Sequence, residues 1–194
     1  MAKVKVLIEG YAREENGIEQ ASSTTVLIKD GDLNIVVDPG CNKPLLLESL
    51  AKENLTTADI NYVFLSHYHF DHSLLAGIFE RALVLYADEA YDLQGGILEP
   101  ENIFSDDIEI IKTPGHNSDC RTMLVKTEEG IIAVCEDVFW WADDEEQKTD
   151  RGSLMEHDDP YAKNKEDLMA SREKVLAMAD YIIPGHGKMF RVEK

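Results

Sequence analysis

Ser66-His67-Tyr68-His69-Phe70-Asp71-His72 puts three imidazoles and a carboxylate within six residues, directly behind the apolar run Tyr62-Val63-Phe64-Leu65. A short apolar run with turn-like flanks reads as a buried strand. On an extended segment, residues i and i+2 face the same side, so His67 and His69 converge on one point. Asp71 and His72 stand where the chain turns into Ser73-Leu74-Leu75, read here as a short helix. They offer an oxygen and a further imidazole beside the first pair. Nitrogen and oxygen donors this dense suit a borderline divalent ion, zinc first, with iron or manganese as alternatives. A lone histidine on a loop would carry no such reading.

Outward from this stretch, other donors close apolar runs. His116 stands in Thr113-Pro114-Gly115-His116, after Ile108-Glu109-Ile110-Ile111. Asp137 ends the run from Gly130 to Glu136, His186 follows Tyr181-Ile182-Ile183-Pro184-Gly185, and Asp38 closes Asn34-Ile35-Val36-Val37. Each would project from the end of a strand. His157 has no such position.

His-x-His-x-Asp-His, followed in order by His116, Asp137 and His186, resembles the metallo-β-lactamase superfamily over about Val26 to Gly187. The resemblance implies an α/β (α+β) fold, a four-layer αββα sandwich, with residues 1–194 as a single hydrolase domain. It implies two divalent ions, zinc by preference: His67, His69 and His116 on one, Asp71, His72 and His186 on the other, Asp137 bridging. Asp71 and Asp137 are then catalytic as well as ligating, and Asp38 orients ligand loops by hydrogen bonds. The expected activity is hydrolysis of a small ester, thioester or lactone by a hydroxide shared between the ions. One alternative is an iron enzyme with a single ion that resembles persulfide dioxygenases. Another is a phosphodiesterase or nuclease of the same superfamily. The segments Leu7–Ala12 and Ser171–Leu176 are similar to one particular branch of it.

Departures from the superfamily pattern narrow the field. Glu136 stands where glycine usually precedes the bridging aspartate, bringing a further negative charge to the site or to the other strand face. His69 replaces the glutamate of the flavin-linked diiron branch, and Asp137 argues against an antibiotic-hydrolysing β-lactamase, which usually lacks it.

Nineteen basic against thirty-eight acidic side chains give a formal charge of −19. Such a field repels polyanions and argues against a long nucleic acid as substrate. A small molecule is the expected partner, and nothing in the sequence decides the oligomeric state. No apolar run approaches the length that crosses a bilayer, and the first residues read as a strand rather than a signal peptide, so the cytoplasm is the expected compartment. Cys41, Cys120 and Cys135 are too few and too scattered for a disulfide framework. Cys135, two residues before Asp137, is expected to be a buried structural thiol.

The remaining expectations are local. Asp30-Gly31-Asp32 should turn a hairpin; Asn42 should cap a helix running to about Asn54. Arg13 to Gly17 reads as a polar loop, and Tyr91 to Glu101 as an irregular loop over the site. Asp143 to Glu146 reads as a solvated loop, and Asp159-Pro160 as a helix start with an apolar face of Leu168, Arg172, Val175, Leu176 and Ala179. His157 is expected on the surface or at that helix start. Among Phe139, Trp140 and Trp141, at least one should be buried while others wall the pocket; Tyr68 and Phe70 should point away from the metals.

Overall fold

The computed structural model describes residues 1–99 and 103–193. The chain opens with β1 (Lys3–Ile8), then a ribbon of its own, β2 (Tyr11–Glu15) and β3 (Ile18–Ser22), then the hairpin β4 (Thr25–Asp30) and β5 (Leu33–Val37). Helix α1 (Lys43–Lys52), β6 (Tyr62–Leu65), the single turn α2 (Phe70–Ser73), β7 (Leu83–Tyr86), β8 (Glu89–Tyr91) and β9 (Ile97–Leu98) follow. Together they make a seven-stranded sheet in the order β1-β4-β5-β6-β7-β8-β9. The second half supplies β10 (Ile108–Lys112), β11 (Arg121–Thr127), β12 (Gly130–Glu136), α3 (Arg151–Glu156), α4 (Lys165–Met178), β13 (Tyr181–Pro184) and β14 (Phe190–Arg191). Its strands form a five-stranded sheet in chain order.

Alternation along the strands explains the layers. Val26, Ile28, Ile35, Val37 and Phe64 of the first sheet meet Met123, Val125, Ile132, Val134 and Ile183 of the second in one buried interface. Leu27, Val36 and Val63, one residue out of phase, face the other way and pack on Leu46 and Leu50 of α1. Leu124, Ala133 and Ile182 do the same toward α3 and α4. The αββα order expected from the sequence is therefore present. Truncating Phe64, at the inter-sheet contact, to alanine would cost about 3–5 kcal/mol.

The local signals were mostly obeyed. Asn42 accepts a hydrogen bond from the Leu45 amide and caps α1, with Pro44 in the first turn. The Asp30-Gly31-Asp32 turn joins β4 to β5 with Gly31 at φ 59°. Three expectations fail. Arg13 to Gly17 is no loop: β2 and β3 pair from Tyr11↔Ser22 to Glu15↔Ile18 around Asn16-Gly17, both at positive φ, the geometry a two-residue hairpin turn demands. Residues 91–98 close an edge hairpin onto the first sheet, away from the site, while Pro100 and Glu101 lie outside the described residues. And α4 starts at Lys165, not Asp159. Asn164 accepts from the Glu166 and Asp167 amides, and those two acids lie in the first turn where the helix dipole favours them.

The fold sets up one end of the sandwich. β5, β6 and β7 run parallel, as do β12 and β13; β10 runs the same way as β12, each being antiparallel to β11. The loops after β5, β6, β10, β12 and β13 therefore leave from strand carboxyl ends that meet at a single edge, where open α/β sheets place their ligands.

Candidate metal centre

Each of those five loops delivers part of one cluster. Donor atoms of His67, His69, His116 and Asp137 lie within 4.8 Å of one another, and those of Asp71, His72 and His186 do likewise. Asp137 stands between the sets: its Oδ2 is 3.2 Å from His116 Nε2, 3.6 Å from His67 Nε2 and 3.3 Å from His72 Nε2, and its Oδ1 is 3.8 Å from His186 Nε2. Asp71 Oδ2 reaches His186 Nε2 at 3.2 Å and His72 Nε2 at 3.6 Å. All seven residues read from the sequence as ligands are brought together, in the two groups expected.

The imidazoles are aimed by groups behind them. Asp38, fully buried, accepts from His72 Nδ1 at 2.7 Å and from the Ser66 amide at 2.8 Å. The Ser66 hydroxyl gives its proton to Asp38 Oδ2 (2.5 Å), so at 3.0 Å it accepts from His67 Nδ1. One carboxylate thus sets the tautomer of both rings and turns both Nε2 atoms to the cluster. Asp38, His67 and His72 also lie close enough to be grouped as donors, but the hydrogen bond on Nδ1 makes Asp38 a support for His72. The Tyr11 carbonyl accepts from His186 Nδ1 at 3.0 Å. For His116 the support is Asp159, buried, which accepts from Nδ1 at 2.8 Å.

Asp159 is the site residue that sequence reading missed. Its other oxygen accepts from the Tyr161 amide at 3.0 Å, forming a side-chain turn before α4. The Asp-Pro pair was a true turn signal assigned to the wrong role.

The donor set fits a metal on chemical grounds. His67 Nε2, His72 Nε2 and Asp137 Oδ1 are buried with no hydrogen-bond partner, a cost of about 1–3 kcal/mol each that a coordinated cation would remove. Burial, reinforced by the neighbouring imidazoles, pulls His67 well below the ordinary histidine range and lowers His69. Burial would raise Asp137, but His72, His186 and His67 outweigh it and hold the carboxyl well below its usual value. Neutral imidazoles around an ionised carboxylate are the states ligands must adopt. Burial opposes a charge on His72 and on His116, but Asp137 with Asp38 lifts the former and Asp159 the latter; there a cation would displace a proton.

Glu136 lies on the site side: its Oε2 is 3.6 Å from His72 Nδ1, and burial followed by the charge of Asp38 pushes its carboxyl well above the usual range. The backbone at Glu136 is left-handed, φ 47°, which accounts physically for glycine at this position in the superfamily pattern. Just across the gap, a Cβ on Gly185 would stand 1.8 Å from Asp137 Oδ1, so only glycine leaves the Asp137 carboxylate its place.

A cavity of about 1120 Å³ opens onto the cluster. The β2–β3 ribbon forms one wall with Ala12, Arg13, Glu14, Glu19, Gln20 and Ala21; Phe70, Leu74, Trp140 and Tyr161 add apolar surface to the lining. Beyond the ligands, its charged lining is Glu14, Glu19, Asp143 and Asp144 against Arg13 alone, and Arg13 is paired with Asp143 at 3.6 Å. Phe139 and Trp141 are core, so of the three aromatics only Trp140 walls the pocket. Tyr68 stays outside the lining, whereas Phe70, largely exposed, belongs to it. His157 is neither a surface nor a helix-start residue: it ends α3, its side chain 10% exposed and its ring 5.3 Å from Trp141. Cys135 is the buried thiol expected, its Sγ directed at the Ile183 carbonyl. No helix of the described residues is long and apolar enough to cross a membrane.

A family model described as "Metallo-beta-lactamase superfamily" matches residues 19–86. Metallo-beta-lactamase domain-containing protein 1 of Xenopus laevis is 32% identical over 98% of this chain and 82% of its own length; the chain spans 63% of the Rattus norvegicus protein of that name. This is the branch that the two end segments pointed to. A Thermotoga maritima crystal structure assigned to the metallo-beta-lactamases superposes with a TM-score of 0.72 at 19% identity, covering 98% of this chain and 99% of that one. The structure of AidC, described as a dizinc quorum-quenching lactonase, gives a TM-score of 0.62 at 16% identity over 87% of this chain and 73% of that one.

Proposed function

Since the chain belongs to the metallo-beta-lactamase superfamily, we propose that it is a metal-dependent hydrolase that holds two divalent ions, zinc by preference, and cleaves a small ester, thioester or lactone. The observation that carries this reading is the position of Asp137, one carboxylate facing imidazoles of both donor sets. Held there, divalent ions would supply a water acidified toward neutrality and a Lewis acid for the substrate oxygen. His67, His69, His116 and Asp137 would hold one ion, and Asp71, His72 and His186 the other, with Asp137 shared.

The protein's own groups do the rest. Asp38, Asp159 and the Tyr11 carbonyl keep imidazole protons on the side away from the reaction. Asp71, 26% exposed against 6% for Asp137, is the more open of the two ligand-type carboxylates that line the cavity and the one better placed to take up or release a proton there. Phe70, Leu74, Trp140 and Tyr161 accommodate an apolar substituent. Four rim carboxylates against one paired arginine favour a substrate without net negative charge, which argues against nucleic acids and other phosphodiesters. Three free thiols support a reducing compartment such as the cytoplasm.

Elemental analysis of protein purified without added metal, with turnover measured on neutral, cationic and anionic esters, thioesters and lactones with and without oxygen, tests the reading. Two equivalents of metal, oxygen-independent turnover and a preference for uncharged or cationic substrates are expected. Asp137→Ala should abolish turnover and lower bound metal. One equivalent of iron with oxygen consumption on thiol persulfides would overturn the hydrolase assignment.

A further inference from the structure

Arg172 lies on α4, away from the cavity lining, with 2% of its surface exposed. Burying a guanidinium costs several kcal/mol unless its donors are used. Here the donors go to backbone carbonyls: Nε to Val138 O at 3.0 Å and Nη1 to His157 O at 2.6 Å, with the Phe139 ring 5.5 Å below the fork. Nη2 is buried with no acceptor. Two neutral donors could serve two carbonyls without placing a full charge in the core, so the identity of the carbonyls becomes the question.

They belong to different loops. Val138 directly follows Asp137, in the segment between β12 and α3. His157 ends α3 and stands two residues before Asp159, whose carboxylate holds His116. The two side chains governed by these loops meet at the cluster, Asp137 Oδ2 lying 3.2 Å from His116 Nε2. A planar guanidinium presents its donors at fixed spacing, so bonding both carbonyls sets the distance between the loops from behind. We propose that Arg172 is a positioning residue of the metal centre: it fixes Asp137 relative to the Asp159–His116 pair so that both can bind one ion. This rests on the metal-centre reading above and extends it to a residue that touches neither ion nor substrate.

The test separates metal affinity from scaffold stability. Full-length protein is stripped with EDTA. Zinc affinity is then measured by competition with a chromophoric chelator, and melting of the stripped protein by circular dichroism. Arg172→Lys keeps charge and stem but loses the fork; Arg172→Met removes the donors; Asp159→Asn weakens the other end of the same path. Zinc affinity should fall 10–100-fold in each, the range expected when a group orienting ligands is lost. In Arg172→Lys combined with Asp159→Asn the loss should be smaller than the product of the single losses, since both act through His116. A zinc affinity in Arg172→Lys within twofold of wild type, with only the melting temperature lowered, would overturn the proposal, as would fully multiplicative losses. Should Arg172→Met fail to fold, the lysine variant decides. A wild-type protein that binds no zinc, iron or manganese would instead overturn the metal-centre reading and this inference with it.

Discussion

Replacing Glu136 with glycine should stabilise the metal-free protein. In the wild type a non-glycine residue is held at φ 47°, which costs about 1–2 kcal/mol in the left-handed region. Its carboxyl is buried with neither oxygen hydrogen-bonded, a penalty of about 1–3 kcal/mol. Against this, glycine forfeits two buried methylenes, about 1.6 kcal/mol at ~0.8 each. The balance is a gain of about 2 kcal/mol, or a melting temperature higher by about 4–8 °C for a chain of this size. The gain should also depend on pH. Because burial and then Asp38 raise the folded carboxyl above its ordinary 4.5, the unfolded chain releases the proton first. Wild-type stability therefore falls as pH rises from about 4.5 to the folded pKa, by about 1.4 kcal/mol per pH unit. The advantage of Glu136→Gly must be smaller at pH 5 than at pH 8. Glu136→Gln, which keeps the backbone strain but cannot titrate, should show the pH-dependent part alone. Melting curves in EDTA at the two pH values read both effects. A glycine variant that melts below wild type at both, or a gap that does not change with pH, refutes the reasoning.

Two further outcomes follow from packing. Burial raises Cys120 to about 12 and Cys135 higher than the ordinary thiol range, while Cys41 is half-buried at the cavity; a thiol reagent at pH 8 should modify Cys41 alone in the folded protein and all three cysteines in denaturant. Gly185→Ala must push the Asp137 carboxylate aside, so it should destabilise the chain by about 1–3 kcal/mol and weaken zinc binding measured by chelator competition.

The donor cluster was legible because His116, Asp137 and His186 follow short apolar runs and His67 to His72 crowd behind another, and a strand end is a local signal. The layers followed from the same alternation, Leu27 and Val36 being out of phase with Val26 and Val37. Asp159 was not legible: its partner His116 lies 43 residues away, and the Asp-Pro pair resembles a helix start. The β2–β3 ribbon was hidden by its polar strands, Arg13-Glu14-Glu15 and Glu19-Gln20, which carry no apolar alternation, although Asn16-Gly17 is a strong turn pair. Arg172 was read as one position on an apolar helix face, where a guanidinium looks like an exception; its role appears only once Val138 and His157 are brought beside it.

The β2–β3 ribbon pairs with neither main sheet. Its base is tied down, through the Gly10–Gly187 bridge and the Asp143 amide bonded to the Ala12 carbonyl at 2.8 Å, while Asn16, Gly17 and Ile18 project into solvent. Lengthening, shortening or recharging its tip would leave the strand ends that carry the donor cluster untouched. The ribbon thus joins a fixed base to a free tip: the Tyr11 carbonyl keeps its hold on His186, while the exposed turn can change in length or charge and reshape that wall of the cavity without disturbing the donor cluster.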